Sequence, residues 1–268
     1  MRDTDQDHHH RLTLVTGATG AIGKAIALEI ALQPGHRVVL LCRDGHRAGK
    51  VVSEVAKLSG NQRVSHEIVD LSSKDSIQAL ARRLKEPVHV LVNAAAVTPS
   101  RRRETPLGIE LQFATNVLGY FWLTRALGDQ LRAGSPSRVV NVASYWAGDL
   151  DLDDLEFRRR PYNNNTAYRQ SKQANRMLTV AFAERFREQG VTVNACHPGD
   201  VNSKLSNKLG FGGHETSQQG ARTPVWLATD AIGQRETGKY FEHRQMQRCR
   251  FGEDSEAVNA LYEACMAY

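Results

Sequence analysis

Short runs of apolar residues alternate with longer amphipathic stretches along most of the chain, and this alternation predicts a parallel sheet covered by helices. Leu12-Thr-Leu-Val-Thr16 is the first run, ending at Gly17. Ala21 to Leu32 has the composition of a good helix, stopped by Pro34-Gly35. Arg37-Val-Val-Leu-Leu-Cys42 reads as a second strand, its continuous apolar run being typical of a strand buried on both faces. Further strands are expected at Val64 to Val69, Val88 to Asn93, Arg138 to Ser144 and Val191 to His197, with a short last one around Lys239-Tyr-Phe241. Helices are expected at Ser73 to Lys85, as one long segment from Leu107 to Leu131, at Thr166 to Glu188 and at Thr216 to Ala228. With no linker and no internal repeat, the pattern predicts one α/β domain, a doubly wound parallel sheet of about seven strands flanked by helices.

Composition narrows this picture. At 268 residues and 41% hydrophobic, the chain can bury a substantial core. The single domain is expected to run from 11 to 268, after a disordered polar leader at 1–10 that ends in three histidines. No run approaches the roughly 18 apolar residues of a membrane span, and the start is too polar for a signal peptide, so a soluble, cytoplasmic protein is expected. Cys42, Cys196, Cys249 and Cys265 lie far apart, which favours reduced thiols over a zinc site or a disulfide framework. The net charge of +6 is spread among 29 acidic residues. Only Arg101–Arg103 and Arg158–Arg160 form runs, and no nucleic-acid motif accompanies them. Both read as solvated loop charges rather than a nucleic-acid site.

Two stretches carry chemistry. Gly17, Gly20 and Gly23 turn the chain between the first strand and its helix, where a pyrophosphate can approach the free amides of the helix N-terminus. Tyr168 and Lys172, four apart on a helix, face the same cleft. An ammonium beside the phenol lowers its pKa towards a range useful for proton transfer. Ser144 ends a strand at the sheet edge where ligands of such folds gather. The segment 202–220, rich in glycine around Phe211, reads as a mobile flap over a substrate. Tyr145, Trp146 and Phe211 are equally compatible with an apolar wall of that site and with packing.

From about Leu12 to Phe241 the chain resembles the short-chain dehydrogenase/reductase family, a single-domain Rossmann fold. The resemblance is carried by the Thr16–Gly23 turn, Asp70-Leu71, Asn93-Ala-Ala-Ala96, Asn116, Ser144, Tyr168 with Lys172, and Pro198-Gly199. Asp153-Asp-Leu-Glu156, Ala167 to Asn175, Val193 to Gly199 and Gly238-Lys-Tyr-Phe241 look most like its retinol dehydrogenase and WW-domain oxidoreductase subgroup, without a WW domain or amino-terminal anchor in view. The resemblance implies that Tyr168 exchanges the substrate proton, that Lys172 binds the nicotinamide ribose and lowers the tyrosine pKa, that Ser144 bonds the carbonyl oxygen and that Asn116 holds a water in the relay. It implies a dinucleotide site made of Gly17, Thr19, Gly20, Ala21, Ile22, Gly23, Arg43, Asp70, Leu71, Asn93, Ala94, Ala95, Pro198, Gly199, Val201 and Ser203, besides Tyr168 and Lys172. Asp70 would face the adenine, Asn93 would anchor the sheet, and Pro198 to Ser203 would line the nicotinamide. Ser144, Asn116 and Asp70 also have plainer readings, as a turn cap, a partner for a helix irregularity and a helix cap.

The implied activity is NADP(H)-dependent interconversion of a carbonyl and an alcohol, on an apolar aldehyde or ketone, by a protein that a homodimer or homotetramer would suit. NADP(H) is favoured because neutral Cys42 stands where an acidic residue would hold the ribose of NAD, with Arg43 next and Lys24 and Arg47 adding charge nearby. The alternative from another class is a nucleotide-binding sensor or scaffold with little activity; an epimerase would need a longer carboxyl-terminal domain. Two residues depart from the family pattern. Ala21 replaces the central turn glycine and Ala96 the last residue of Asn-Asn-Ala-Gly, and each methyl resists any left-handed backbone and crowds a cofactor.

Overall fold

In the computed structural model, which describes residues 10–268, eight strands form one sheet. The strands are β1 (Arg11–Thr16), β2 (His36–Cys42), β3 (Val64–Ile68), β4 (Val90–Asn93), β5 (Ser137–Val142), β6 (Val191–His197), β7 (Tyr240–Glu242) and β8 (Gln245–Gln247). Their spatial order is β3-β2-β1-β4-β5-β6-β7-β8, parallel throughout except for β8, which returns antiparallel to β7. The order reverses between β1 and β4, so both halves of the sheet present their carboxyl ends to one crevice there. The leader at 1–10 lies outside the described residues except for His10.

Eleven α-helical segments cover the sheet among the described residues: α1 (Ala21–Ala31), α2 (Gly45–Ser59), α3 (Lys74–Arg83), α4 (Leu111–Phe113), α5 (Gly119–Ala126), α6 (Gly128–Ala133), α7 (Asn164–Arg185), α8 (Lys204–Lys208), α9 (Ser217–Thr229), α10 (Ile232–Arg235) and α11 (Ser255–Met266). Alternation along the strands decides which helices pack where. Leu14, Val39, Leu91 and Val139 point to one face, against Ile77 of α3, Phe121 of α5, Phe182 of α7 and Leu261 of α11. Val15, Leu40, Val92 and Val140 point to the other, against Ile26 and Ile30 of α1, Val55 of α2 and Leu227 of α9. The result is a three-layer sandwich.

The predicted elements appear with ends shifted by a few residues, and the exceptions have local causes. The long helix expected over Leu107 to Leu131 is broken. Gly108 takes a positive φ in a turn closed by its amide on the Thr105 carbonyl, and the Glu110 carboxylate then caps α4 by accepting from the amides of Gln112 and Phe113. Ala114–Leu118 winds as a π turn before α5 begins, and the chain leaves helical geometry again at Leu127. The helix α2, unforeseen, starts where Asp44 accepts from the amide of Arg47 and ends at Gly60 with φ 71°. The eighth strand and α11 were also unforeseen.

Candidate active site

Helix α7 is the spine of the site. Asn163 caps it through the Thr166 amide, and its length carries Tyr168 and Lys172 into the floor of the crevice. Tyr168 is 7% exposed and lines the same cavity as Ser144, which stands just beyond β5, acts to lower the tyrosine's pKa against the effect of its burial and itself accepts from the Trp146 amide at 3.1 Å. Lys172 is 2% exposed; its Nζ donates to the Val142 carbonyl at 2.8 Å and lies 5.6 Å from the Tyr168 ring centroid and 5.7 Å from that of Tyr120. Tyr120 in turn donates to the Ala95 carbonyl at 2.9 Å, tying α5 to the loop after β4.

The protonation of this pair differs from the expectation. Burial pushes the Tyr168 hydroxyl up to about 12, with Ser144 acting the other way, and burial pushes the Lys172 ammonium down to about 7. The expected lowering of the tyrosine by its lysine is therefore absent in the protein alone. Desolvation penalises both charged forms, and an ammonium that is itself close to discharging near neutral pH has little stabilisation to give.

Asn116 occupies the π turn between α4 and α5, fully buried. Its Oδ1 accepts from the Val97 amide at 2.9 Å, its Nδ2 donates to the Val97 carbonyl at 3.0 Å, and its own carbonyl accepts from Asn175 Nδ2 at 2.8 Å. The side chain thus pairs with the loop after β4 much as a neighbouring strand would. Asn93 anchors the sheet as expected, donating to Asn141 Oδ1 on β5 at 2.9 Å.

The residues expected to hold a dinucleotide gather at the other side of the crevice. Thr16 Oγ1 accepts from the amides of Ala94 and Ala95 at 2.8 and 3.1 Å, clamping the ends of β1 and β4 together. Gly17 has φ 67°, and a Cβ there would sit 2.7 Å from Ala95 Cα; one on Gly23 would sit 2.4 Å from the Gly17 carbonyl oxygen. These glycines are demanded first by the protein's own packing. Helix α1 then starts at exposed Gly20 with no side-chain cap and no acidic residue in its first turn, so its first amides lack a side-chain acceptor. Thr19, Ala21 and Ile22 are half-buried beside it. Neither Ala21 nor Ala96 has a positive φ, so the two departures from the family pattern introduce no backbone strain.

At the end of β2, Cys42 is buried, its thiol pushed up to about 11 by burial and therefore neutral, while Arg43 is exposed with no ion pair or hydrogen bond among the described residues. Lys24, expected to add charge, is instead paired with Glu54 of α2 at 2.8 Å. Arg47 is exposed. Asp70 Oδ1 accepts from the amide and hydroxyl of Ser72 at 2.9 and 2.7 Å, and so shapes the turn before α3, whose cap is Ser73. Leu71 packs against Gly119, where a Cβ would meet the Leu71 carbonyl oxygen at 2.8 Å.

Between the two sides lies a cavity of about 140 Å³ lined by Ile22, Ser144, Tyr145, Trp146, Tyr168, His197, Pro198 to Val201, Ser203, Leu205, Ser206 and Phe211. Trp146 and Phe211 pack edge to face at 5.6 Å, and Trp146 lies 6.1 Å from Tyr168, so the three aromatics do form a wall of the cleft, although Tyr145 and Phe211 stay half open to solvent. Ser203 begins α8 in a capping box with Ser206, and Thr216 begins α9 in another with Gln219, which pins both ends of the segment expected to be a flap. Gly199 has φ 105°, and Val201 is buried in a bridge to Glu215.

Sequence reasoning missed several residues here. Asp200 places its carboxylate near Tyr145, whose hydroxyl pKa is raised by burial and then by that carboxylate, while the Asp200 carbonyl accepts from the amides of His214 and Glu215. His197 packs its ring 4.7 Å from Tyr145 and is pushed down to about 3 by burial, with the His243 and Arg176 charges adding to it. Arg176, four residues past Lys172, was detectable from that spacing alone. The arginine runs are only partly solvated. Arg101, Arg103 and Arg159 are exposed, but Arg102 donates to the Glu156 backbone carbonyl at 2.9 Å, and Arg158 and Arg160 meet the buried carboxylates of Glu156 and Asp154, each at 3.2 Å, because these loops bury carboxylates that need partners. Among the described residues, no helix is long and apolar enough to cross a membrane and no cluster of His, Cys, Asp or Glu is suited to hold a metal ion.

Comparison with known proteins agrees with this geometry. Residues 11–211 match the short chain dehydrogenase family. Retinol dehydrogenase 13 of Mus musculus is 35% identical over 273 residues, covering 94% of this chain and 81% of its own length. Retinol dehydrogenase 11 of Homo sapiens is 37% identical over 232 residues, covering 81% and 72%. A crystal structure of an uncharacterised protein from Mycobacterium paratuberculosis superposes with a TM-score of 0.81 at 26% identity, covering 96% of this chain and 92% of the other. A glycine turn at β1, a buried tyrosine and lysine one helical turn apart, and a serine in the same cavity as that tyrosine thus coincide with this match, and the chain belongs to the short-chain dehydrogenase family.

Proposed function

We propose that this protein is an NADP(H)-dependent oxidoreductase that interconverts an apolar aldehyde or ketone and its alcohol, with Tyr168 as general acid and base. The observation that carries the proposal is the meeting of Tyr168 and Ser144 in the floor of one aromatic cleft, with Lys172 buried beneath. When bound, the nicotinamide supplies or takes up the hydride. The rest falls to the chain. Tyr168 gives its proton to the substrate oxygen on reduction and takes it back on oxidation. Ser144 offers a second hydrogen bond to the same oxygen, where negative charge develops, and a fixed donor in a dry site stabilises that charge more than water does. Once Tyr168 has lost its proton, Lys172 is the cation nearest the phenolate, and the two charges then favour one another. Asn116 holds the loop after β4 in place.

The uncapped start of α1, the bare Arg43 and the neutral Cys42 suit a dinucleotide carrying a 2′-phosphate, since a guanidinium meets phosphate with two parallel hydrogen bonds and no acidic side chain at the end of β2 opposes it. The names of the relatives, retinol dehydrogenases, and the aromatic wall support an apolar substrate. The test is NADPH consumption over a panel of aliphatic, aromatic and polycyclic carbonyls. Turnover of at least one apolar carbonyl is expected; complete inactivity, with NADPH binding established by calorimetry, would replace this reading with that of a nucleotide sensor.

A further inference from the structure

Helix α7 buries a second cation one turn beyond Lys172. The Arg176 side chain is 8% exposed, and its Nη2 donates to the Ser144 carbonyl at 2.6 Å. Its guanidinium carbon lies 3.4 Å from the centroid of the Tyr240 ring on β7 and 5.6 Å from that of Phe251. The nearest carboxylate is Glu242, 3.8 Å away, which already accepts from the Tyr240 hydroxyl at 2.6 Å. Arg176 Nε is buried with no hydrogen-bond partner among the described residues.

Burying a guanidinium with one distant counter-ion and an idle donor is costly, and an apolar side chain of similar volume would fill the space against Tyr240 and Phe251 at less cost. The one thing the arginine does that an apolar residue cannot is hold the Ser144 carbonyl. That carbonyl needs holding: β5 ends at Val142, the Ala143 amide makes the last sheet contact on the Cys196 carbonyl, and Ser144 is already in the departing loop. Its hydroxyl is oriented on one side by the Trp146 amide, and its carbonyl is fixed on the other by Arg176. Both anchors of a side chain's backbone set where its oxygen points.

We propose that Arg176 is a positioning residue for the reaction, fixing the Ser144 peptide so that its hydroxyl faces Tyr168 and the substrate oxygen. The inference rests on the proposed roles of Ser144 and Tyr168. It also accounts for the aromatic shelf of Tyr240 and Phe251, which stacks on the planar guanidinium and aims its fork at β5.

A double-mutant cycle tests it, with kcat and KM measured on the best carbonyl of the panel. Arg176→Met is expected to lower kcat by roughly 10- to 100-fold, the cost of a slightly misplaced catalytic group, while the KM for NADPH stays unchanged. In a Ser144→Ala background the same substitution is expected to change kcat by no more than about twofold, because the group it positions is gone. Arg176→Lys, which keeps a cationic donor, is expected to recover part of the loss, and carries the cycle if Arg176→Met does not fold. An equal fold-loss in both backgrounds, or unchanged kcat in the single variant, would overturn the proposal. A Ser144→Ala protein as active as the unmodified one would instead overturn the reading of the site on which it rests.

Discussion

At the carboxyl ends of β1, β2 and β4 the protein offers backbone; at the ends of β5 and β6 it offers buried side chains. The first region is made of a glycine turn packed on its own neighbours, an uncapped helix start and one exposed arginine. The second is made of Ser144, Tyr168, Lys172, Arg176 and His197, every one less than a tenth exposed and most of them bonded to main-chain atoms. The difference teaches how one crevice can serve two demands. On the proposed function, a long anionic cofactor that binds and leaves would be met by amides and a solvated charge, which cost little when nothing is bound. Proton transfer needs groups whose pKa values and positions are held away from water, and only the packed core does that.

The comparison is broken most severely by Tyr168→Phe, which removes one hydroxyl from the catalytic side. It is expected to lower kcat by about 10²- to 10⁴-fold, with NADPH affinity by calorimetry unchanged; retention of more than a small fraction of turnover would show that another group moves the proton. On the other side, Cys42→Asp combined with Arg43→Ala places an acid where the 2′-phosphate is expected and removes the guanidinium. The unmodified protein should prefer NADPH over NADH in kcat/KM by about 10- to 100-fold, the worth of a charge-assisted contact of about 1.5–3 kcal/mol, and the double variant should erase or reverse that preference.

Two smaller effects sharpen the contrast. Gly17→Ala forces a methyl onto Ala95 in a left-handed conformation, and should cost about 2–3 kcal/mol of unfolding free energy, read from the shift of the denaturant midpoint. Gly20→Ala, where φ is −94° and the nearest atom would lie 3.2 Å away, should cost far less. A difference of that sign between neighbouring glycines is what separates a packing requirement from a flexible loop. Acid acts on both halves. Burial depresses His36, at the start of β2, to about 4 and His197, at the end of β6, to about 3, against an ordinary 6.5. Above pH 6.5 both are neutral folded or unfolded. Below it the unfolded chain takes up protons that the folded protein refuses, so stability falls as pH drops from 6.5 towards 4, by about 2 kcal/mol per histidine at pH 5. Thermal melts of His36→Gln should show a shallower decline between those pH values than the unmodified protein.

Much of this was legible in the chain. Short runs rich in apolar and β-branched residues announced β1, β2, β5 and β6, continuous in β2 and broken in the others by buried Thr13, Asn141 and Asn194, because strands covered on both faces bury nearly every side chain. The glycine turn, Ser144, Tyr168 and Lys172 stood out by spacing. Other parts had no local mark. The sequence Gln245-Met-Gln247 carries no strand pattern, and its hairpin turns through His243 and Arg244, both with positive φ, without the glycine or asparagine that usually announces such a turn. Helix α11 differs: it was legible but unread, since Asp254 caps it through the Ala257 amide and the buried Val258, Leu261, Tyr262 and Cys265 fall at helical spacing, and contacts with α7 such as Arg185 over the Tyr262 ring at 3.4 Å then hold it. The break at Asn116 was visible in the chain only as a plainer reading, a helix irregularity, because a π turn in an apolar segment is chosen by what the asparagine pairs with, and Val97 is 19 residues away.

The order of residues by itself determined the alternation of strands and helices, the family, and which side chains could share a helical face, since periodicity and turn chemistry act within a few residues of one another. Tertiary structure alone decided that Lys24 would be spent on Glu54 and Arg43 left bare, that Arg176 would reach Ser144 across 32 positions, and that Tyr168 would rise in pKa rather than fall beside its lysine. Each of those outcomes depends on distance and on exclusion of water, which arise only when segments remote in the chain close over a common volume.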